Sequence, residues 1–209
     1  MRRTVLVAAA TVLALCGTGA AAADPCAAAW TDGTGDTTYG LVYPVPLDDP
    51  DLDVTRVTVR ATRADLVVTV TVRRLTPGGP AYGTGHGIGL YLTKYGTALS
   101  FAARRDATYG DRTYATGDTA TARTPVRLVV DAKHSAYVLT VARRDVARLA
   151  GTRTNGGVLT GVGAFTLRSD HLAGASEAAG LSGGGVGTDA DDAHPGDGAR
   201  LDLDRCDRR

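Results

Sequence analysis

Hydrophobic and polar residues alternate along much of this chain, in short runs that come in pairs. Residues 57–61 place valine or alanine at every second position, and residues 66–72 repeat the pattern after a turn at Ala64 and Asp65. Alternation with period 2 buries one face of a strand, and two such runs joined by a turn form a hairpin. These residues therefore predict an antiparallel hairpin with one buried face.

The alternation returns several times after this hairpin. Ile88, Leu90 and Leu92 follow a loop rich in glycine and proline, and residues 126–132 and 136–142 predict a second hairpin. Further strand candidates are residues 39–45, 99–103, 112–115, 158–167 and a short last run at Leu201 and Leu203. Residues 144–149 predict one helical turn, which Gly151 ends.

Eight or nine short strands with almost no helix predict an all-β protein. The fold class that we expect is an antiparallel β-sandwich, jelly-roll-like, with little helix. Residues 173–198 are rich in Gly, Ala and Asp and exceed the usual length of a structureless loop. We interpret them as a functional loop or as a segment that contains one more strand.

The first residues have the pattern of a secretory signal. Arg2 and Arg3 precede a short apolar run, and Ala21, Ala22 and Ala23 supply a cleavage site. We expect a signal peptide over residues 1–23 and a single domain over residues 24–209. Two alternatives stay open: a twin-arginine signal, and a lipid anchor on Cys16.

Charge narrows the classes of partner. Without Arg2 and Arg3 the chain has 21 basic and 22 acidic residues, so it lacks the basic field that binds nucleic acid. No segment of the mature chain is apolar enough to cross a membrane. The skew towards Arg, Asp, Gly and Ala is typical of a bacterium rich in G and C, and we expect a secreted, extracellular protein.

Two cysteines bracket the mature chain. Cys26 follows the signal peptide and Cys206 lies four residues from the end. In an exported chain an even pair is most simply a disulfide. We therefore predict a Cys26–Cys206 bond.

Aspartates cluster near both ends of the mature chain. The candidate calcium ligands are Asp32, Asp36, Asp189, Asp191 and Asp192. Carboxylates from separate loops can supply the oxygen atoms that calcium needs. The other interpretation is solvated turns in a chain biased towards Asp. If the two groups shared a calcium, the disulfide and the metal would close the same end of the sandwich.

Tyrosines concentrate in one stretch of the chain. The candidate ligand-binding residues are Tyr82, Tyr91, Tyr95, Tyr109 and Tyr114, with His86 in a loop rich in glycine. Aromatic rings stack on sugar faces, and a phenol adds a hydrogen-bonding tip. The alternative role of these tyrosines is packing at the edge of the sandwich.

No catalytic motif is present in the sequence. Its four histidines are scattered and no G-x-S-x-G nucleophile turn occurs. We therefore expect a protein that is not an enzyme, and keep a hydrolase with unrecognised residues as the weaker alternative.

The order of segments resembles a known superfamily. A Gly35-Asp36 turn, the strand start at 51–54, the strand at 66–70, a glycine-flanked strand at 161–163 and an Asp-rich loop before Leu201 follow one another. This order is similar to secreted actinobacterial β-sandwich modules of the DOMON and family 9 carbohydrate-binding-module superfamily. The resemblance implies a sandwich that binds a ligand, often a sugar, sometimes with a structural calcium. The leading hypothesis is a non-catalytic module for a carbohydrate or cell-envelope ligand, and the alternative is an extracellular protein-interaction or structural protein.

Overall fold

A computed structural model describes residues 24–39, 45–46, 49–76, 84–106, 112–117, 120–122, 126–170, 187–193 and 198–208. Within these ranges it describes only the backbone of residues 38–39, 45–46, 84–86, 104–106, 112–117, 120–122, 167–170 and 187–193. The predicted signal peptide and Cys16 lie outside the described residues.

The elements follow one another as short strands with two short helices. The strands are β1 (Ala27–Thr31), β2 (Thr38–Tyr39), β3 (Val45–Pro46), β4 (Val54–Ala61), β5 (Asp65–Val72), β6 (Thr84–Lys94), β7 (Thr97–Asp106), β8 (Arg112–Gly117), β9 (Ala120–Ala122), β10 (Arg127–Asp131), β11 (Ala136–Ala142), β12 (Val158–Asp170), β13 (Gly187–Ala193) and β14 (Ala199–Asp202). The helices are a 3-10 turn at Ala132–His134, α1 (Arg143–Leu149) and α2 (Leu203–Asp207).

Two antiparallel sheets face each other, which confirms the predicted all-β sandwich. The small sheet has the order β1-β4-β5-β11-β10. The large sheet has the order β13-β12-β6-β7-β8-β9, and β14 pairs with β12 beside β13. Both predicted hairpins are present, as β4–β5 and β10–β11.

The core lies between the sheets because alternate side chains point inward. Strand β5 buries Leu66, Val68, Val70 and Val72, and facing strand β6 buries Ile88, Leu90 and Leu92. The intervening residues of β6 lie on the outer face of the large sheet, since successive side chains of a strand point to opposite faces. The inner face thus carries the stability, and the outer face is available for another role.

Near the end of the chain one prediction needs correction and one stated alternative is confirmed. Leu203 does not continue a strand: Asp202 accepts a hydrogen bond from the N–H of Arg205 and begins helix α2 at Leu203. Residues 173–198 include one further strand, β13, although its sequence is polar. An edge strand needs no apolar residue at each second position, because backbone hydrogen bonds to β12 suffice to pair it.

The two ends of the sandwich differ in their residues. We call the end that holds Cys26, Cys206, α1 and α2 the disulfide end, and the end that holds Asp32 and Asp53 the acidic end. Strand β4 runs between them: the N–H of Ala61 bonds the carbonyl of Cys26, and the N–H of Asp32 bonds the carbonyl of Thr55. The Asp32–Asp36 turn therefore lies opposite the disulfide.

Candidate functional site

Strands β6 and β12 carry the same short pattern, glycine at two alternate positions and then an aromatic residue. Residues 87–91 read GIGLY and residues 161–165 read GVGAF. The antiparallel register sets Tyr91 opposite Gly163 and Phe165 opposite Gly89. Each aromatic residue therefore faces a glycine of the neighbouring strand, on the outer face of the large sheet.

The two glycines allow both rings to lie down on the sheet. A Cβ atom at Gly163 would overlap the Tyr91 ring, and a Cβ atom at Gly89 would overlap the Phe165 ring. The ring centroids are 6.3 Å apart and the ring planes differ by 14°. Each ring rests on the glycine opposite it, and the two ring planes are nearly parallel. Tyr91, Phe165, Gly89 and Gly163 together are called the two-ring surface below.

Small uncharged residues border the two-ring surface. Register places Ser100 opposite Tyr91 and Ala102 opposite Gly89, and it aligns Thr93 with Ala98 and Thr160. Residues directly opposite in an antiparallel pair share a face. Hydroxyl groups and short apolar side chains thus line the described sides of the rings, which are half-buried.

The structure separates the tyrosines that the sequence groups together. Tyr91 forms half of the two-ring surface, and the backbone of Tyr114 pairs with that of Ala102, in the same row as Phe165. His86 pairs with Arg105 and Arg168 on the neighbouring strands. The side chains of Tyr114 and His86 are not described, and Tyr82 and Tyr109 lie outside the described residues.

Tyr95 lies away from that surface, in the turn between β6 and β7. Tyr95 and Gly96 both have positive φ, 51° and 82°, as a two-residue hairpin turn requires. The Tyr95 ring lies against Gly157, where a Cβ atom would overlap its hydroxyl, and its centroid is 5.7 Å from Nζ of Lys94. Although 61% of Tyr95 is exposed, it covers a buried cation at the disulfide end.

Phe165 is the residue that sequence reasoning missed. It stands in a segment that alternation assigns to a strand, and a lone phenylalanine there looks like core. The signal that would have revealed it is the repeated glycine-glycine-aromatic spacing in two strands. That signal acquires meaning only when the two strands are neighbours in antiparallel register.

The predicted calcium ligands are only partly brought together. The Asp32–Asp36 turn precedes β2, and β13, which carries Asp189, Asp191 and Asp192, packs near β2 and β4. The side chains on β13 are not described. The described His, Cys, Asp and Glu side chains include no group of three that could hold a metal.

Asp53, which is not among the predicted calcium ligands, is a fully buried carboxylate at the acidic end. Its Oδ2 accepts hydrogen bonds from the N–H of Gly35 at 2.9 Å and from Nε of Arg73 at 3.0 Å. Its Oδ1 is buried without a hydrogen-bond partner among the described residues. The pairing with Arg73 balances the charge of Asp53, so this carboxylate has a structural partner.

The disulfide end holds the predicted Cys26–Cys206 bond, with the two Cα atoms 5.3 Å apart. The Asp32–Asp36 turn lies at the other end of β1, so a calcium held there would not close the same end as the disulfide. The sequence did not show that Cys26 and Asp32 lie at opposite ends of the sandwich, because the two residues are close in the chain. A five-residue strand separates them in space.

Two buried cations lie beside the disulfide. Arg143 donates to both carboxylate oxygens of Asp207, at 2.7 and 2.9 Å, and to the carbonyls of Thr62 and Asn155. The hydrogen bonds from Arg143 lower the pKa of Asp207. Lys94 donates to the carbonyl of Thr154 at 2.9 Å. Burial and then the nearby Arg143 lower the pKa of Lys94, while Asp204 opposes this shift.

His134 is the one histidine whose side chain is described. Its Nδ1 lies 2.7 Å from Oδ2 of Asp131 on an exposed turn, and this hydrogen bond lowers the pKa of Asp131. Ser135 follows His134, but its hydroxyl accepts a hydrogen bond from the N–H of Leu75. These described contacts join a histidine to an acid and not to a nucleophile.

Comparisons with protein-family models, with curated proteins and with solved structures find no match to this chain. None of the helices in the described ranges has the length and hydropathy needed to cross a membrane.

Proposed function

We propose that this protein is a secreted, non-catalytic binding module, and that its two-ring surface holds a carbohydrate of the extracellular matrix or cell envelope. The observation that carries the proposal is the reciprocal pairing of Tyr91 with Gly163 and of Phe165 with Gly89. Two rings lying flat on a sheet present their faces outward. The apolar face of a pyranose stacks on such a ring, as one flat apolar surface does on another.

The competing explanation is purely structural. An aromatic ring that covers a cross-strand glycine also shields the strand and fixes its register. A structural role needs one ring for one glycine, and it does not depend on how the two rings are oriented relative to each other. Here the two ring planes are within 14° of parallel, and hydroxyl-bearing residues border the rings. This arrangement favours a ligand.

The direct test is retention of the purified mature protein on insoluble chitin, cellulose, xylan and cell-wall peptidoglycan. We expect the wild type to be retained on at least one of these. The variants Tyr91→Ala and Phe165→Ala should each weaken retention by about tenfold or more, which corresponds to about 1.4 kcal/mol. Thermal melts of each variant separate lost binding from lost folding.

Two further variants make the test specific. Gly89→Ala keeps both aromatic residues but forces the Phe165 ring up from the sheet, so we expect weaker retention than in the wild type. Val129→Ala removes an exposed apolar side chain from β10 of the other sheet, 40% exposed, and should leave retention unchanged. Absence of wild-type retention on all four materials, or equal retention by the wild type and Phe165→Ala, would refute the proposal.

A further inference from the structure

We infer that the ligand of the two-ring surface is a neutral polysaccharide chain, rather than a charged polymer or a free monosaccharide. This inference rests on the proposed function and gives it a ligand class. It depends on the charges of the surface, on the spacing of the two rings and on the size of the residues around them.

The described outward positions of β6, β7 and β12 carry no charge, and exposed Arg200 of the adjacent strand β14 lies beside them, near Thr160. The outward positions of β6, β7 and β12 whose side chains are described are Gly, Ala, Ser, Thr, Tyr and Phe; they are Gly89, Tyr91, Thr93, Ala98, Ser100, Ala102, Thr160, Gly163 and Phe165. A polyanion would need a cluster of cations here, and a polycation a cluster of anions. Threonine and serine hydroxyls can both donate and accept hydrogen bonds, as sugar hydroxyls do.

Charged positions in the neighbouring rows balance one another. Residues paired across neighbouring strands form rows that run across the sheet. The row of Phe165 and Gly89 continues to Asp192 on β13. The next row on the same face contains Asp189, Leu167, Gly87, Arg104 and Arg112, one from each of five strands. With Asp202 and Arg200 at the outward positions of β14, three acidic and three basic positions flank the surface. A region with both signs has no net field to draw in a polymer of one charge.

The spacing of the rings favours a chain over a single sugar. The centroids are 6.3 Å apart, more than the width of one six-membered ring, so the two aromatic rings offer two separate stacking positions. A ligand with two linked sugars occupies both positions, and the second contact forms at high effective concentration. A monosaccharide can use only one position at a time.

Small residues leave room for such a chain to continue past the rings. Gly89 and Gly163 lie beneath them, and Ala102 and Ser100 lie beside them on β7. None of these four residues can form a wall around a bound sugar. A polymer can therefore lie flat across the described strands of the sheet.

Affinity electrophoresis with pairs of polymers that share a sugar backbone tests whether the surface prefers a neutral or a charged ligand. Hydroxyethylcellulose and carboxymethylcellulose form one pair, and glycol chitin and chitosan form the second; in each pair the first polymer is neutral. We expect a neutral polymer to retard the wild type at least about fivefold more than its charged counterpart, with little change between 50 and 500 mM NaCl. Phe165→Ala should abolish the retardation, and Val129→Ala should not.

Competition tests the length requirement. Soluble oligosaccharides of two or more sugars, made from the polymer that retains the protein, should displace the protein at least about tenfold more effectively than the monosaccharide does. Equal competition by the monosaccharide would overturn the inference. So would preference for a charged polymer with a steep salt dependence, or retention on peptidoglycan without retardation by either neutral polymer.

These outcomes distinguish the two proposals. If binding depends on Phe165 but prefers a charged polymer or a single sugar, the binding function stands and the ligand class is wrong. If Phe165→Ala binds every polymer as the wild type does, or if the wild type is retained by none, both proposals fail.

Discussion

The most deeply buried charges at the two ends of the sandwich have opposite signs and are held by different means. At the disulfide end, Lys94 and Arg143 are cations with at most 1% exposure, and backbone carbonyls supply most of their described hydrogen-bond acceptors. At the acidic end, Asp53 is a fully buried anion held by one backbone N–H and the half-exposed Arg73. Of the two described ends, the disulfide end alone has a covalent cross-link between side chains.

The two ends also differ in the sequence separation of the residues that they hold together. The disulfide end joins residues far apart in the chain, since Arg143 bonds Asp207 and Cys206 bonds Cys26 across 180 residues. The contacts of Asp53 come from nearby segments, with Gly35 and Arg73 each within about twenty residues. Closing a long loop costs more conformational entropy than closing a short one, so a covalent bond contributes most where the contacts are most distant.

The largest effect should come from the disulfide. We expect the double variant Cys26→Ser, Cys206→Ser to lose up to about 5 kcal/mol of unfolding free energy, the value that the chain-entropy model gives for a loop of this length. Urea unfolding of the oxidised wild type and the variant measures the difference. A loss below about 1 kcal/mol would show that the native contacts of α2 already fix the chain end.

Arg143 should have the next largest effect. Arg143→Leu leaves the carbonyls of Thr62 and Asn155 without their donors, and we expect a loss of about 3 kcal/mol. Arg148→Leu is the matched control, because Arg148 is 54% exposed and pairs with Asp145 on its own helix turn; it should cost less than about 1 kcal/mol. Equal losses of unfolding free energy in the two variants would contradict the greater contribution that we assign to buried Arg143.

The ion pair of Arg143 and Asp207 makes the unfolding free energy depend on pH in the acid range. Because Arg143 lowers the pKa of Asp207 in the folded state, this carboxylate stabilises the fold above its ordinary pKa of 3.8, and the stabilisation is lost as pH falls through the lowered value. Asp207→Asn should therefore flatten the fall of unfolding free energy below pH 4. An unchanged acid profile would contradict this assignment.

At the acidic end we expect a smaller and independent effect. Asp53→Ala removes the acceptor for the N–H of Gly35 and should cost about 2 kcal/mol. Strand β4 separates the two ends by about 23 Å at ~3.3 Å per residue, so this loss should add to that of Arg143→Leu within about 0.5 kcal/mol. Chemical unfolding of the double variant measures the sum, and a larger deviation would show that the ends are coupled.

The smallest effect, and one of opposite sign, should come from Lys94→Met. Replacing a buried ammonium by an apolar side chain of similar length relieves its desolvation and its repulsion from Arg143, so we expect a gain of about 1 kcal/mol at pH 7. Since the folded-state pKa of Lys94 is lowered, the wild type itself regains stability as pH rises through that pKa towards 10.5. The advantage of the variant should shrink over that range, and a constant advantage would contradict the lowered pKa.

Much of the fold could be predicted from local patterns. The hairpins β4–β5 and β10–β11 follow from period-2 alternation, because each strand buries one face. The polar sequence of β13 left a loop and a further strand as alternatives, since an edge strand is held by backbone hydrogen bonds that leave no apolar signature. The predicted last strand is present as β14 but ends at Asp202, whose side chain caps helix α2 at Leu203.

The candidate site shows the same division more sharply. The sequence by itself determined that this chain has two β-strands with a glycine-glycine-aromatic pattern and a pair of cysteines that bracket the domain. Only the tertiary structure decided that Tyr91 meets Gly163, that Tyr95 lies at the disulfide end, and that the disulfide and the Asp32 turn lie at opposite ends. Alternation fixes which face a side chain takes, but the neighbour across the sheet is set by strand order and register, which depend on packing between residues distant in the chain.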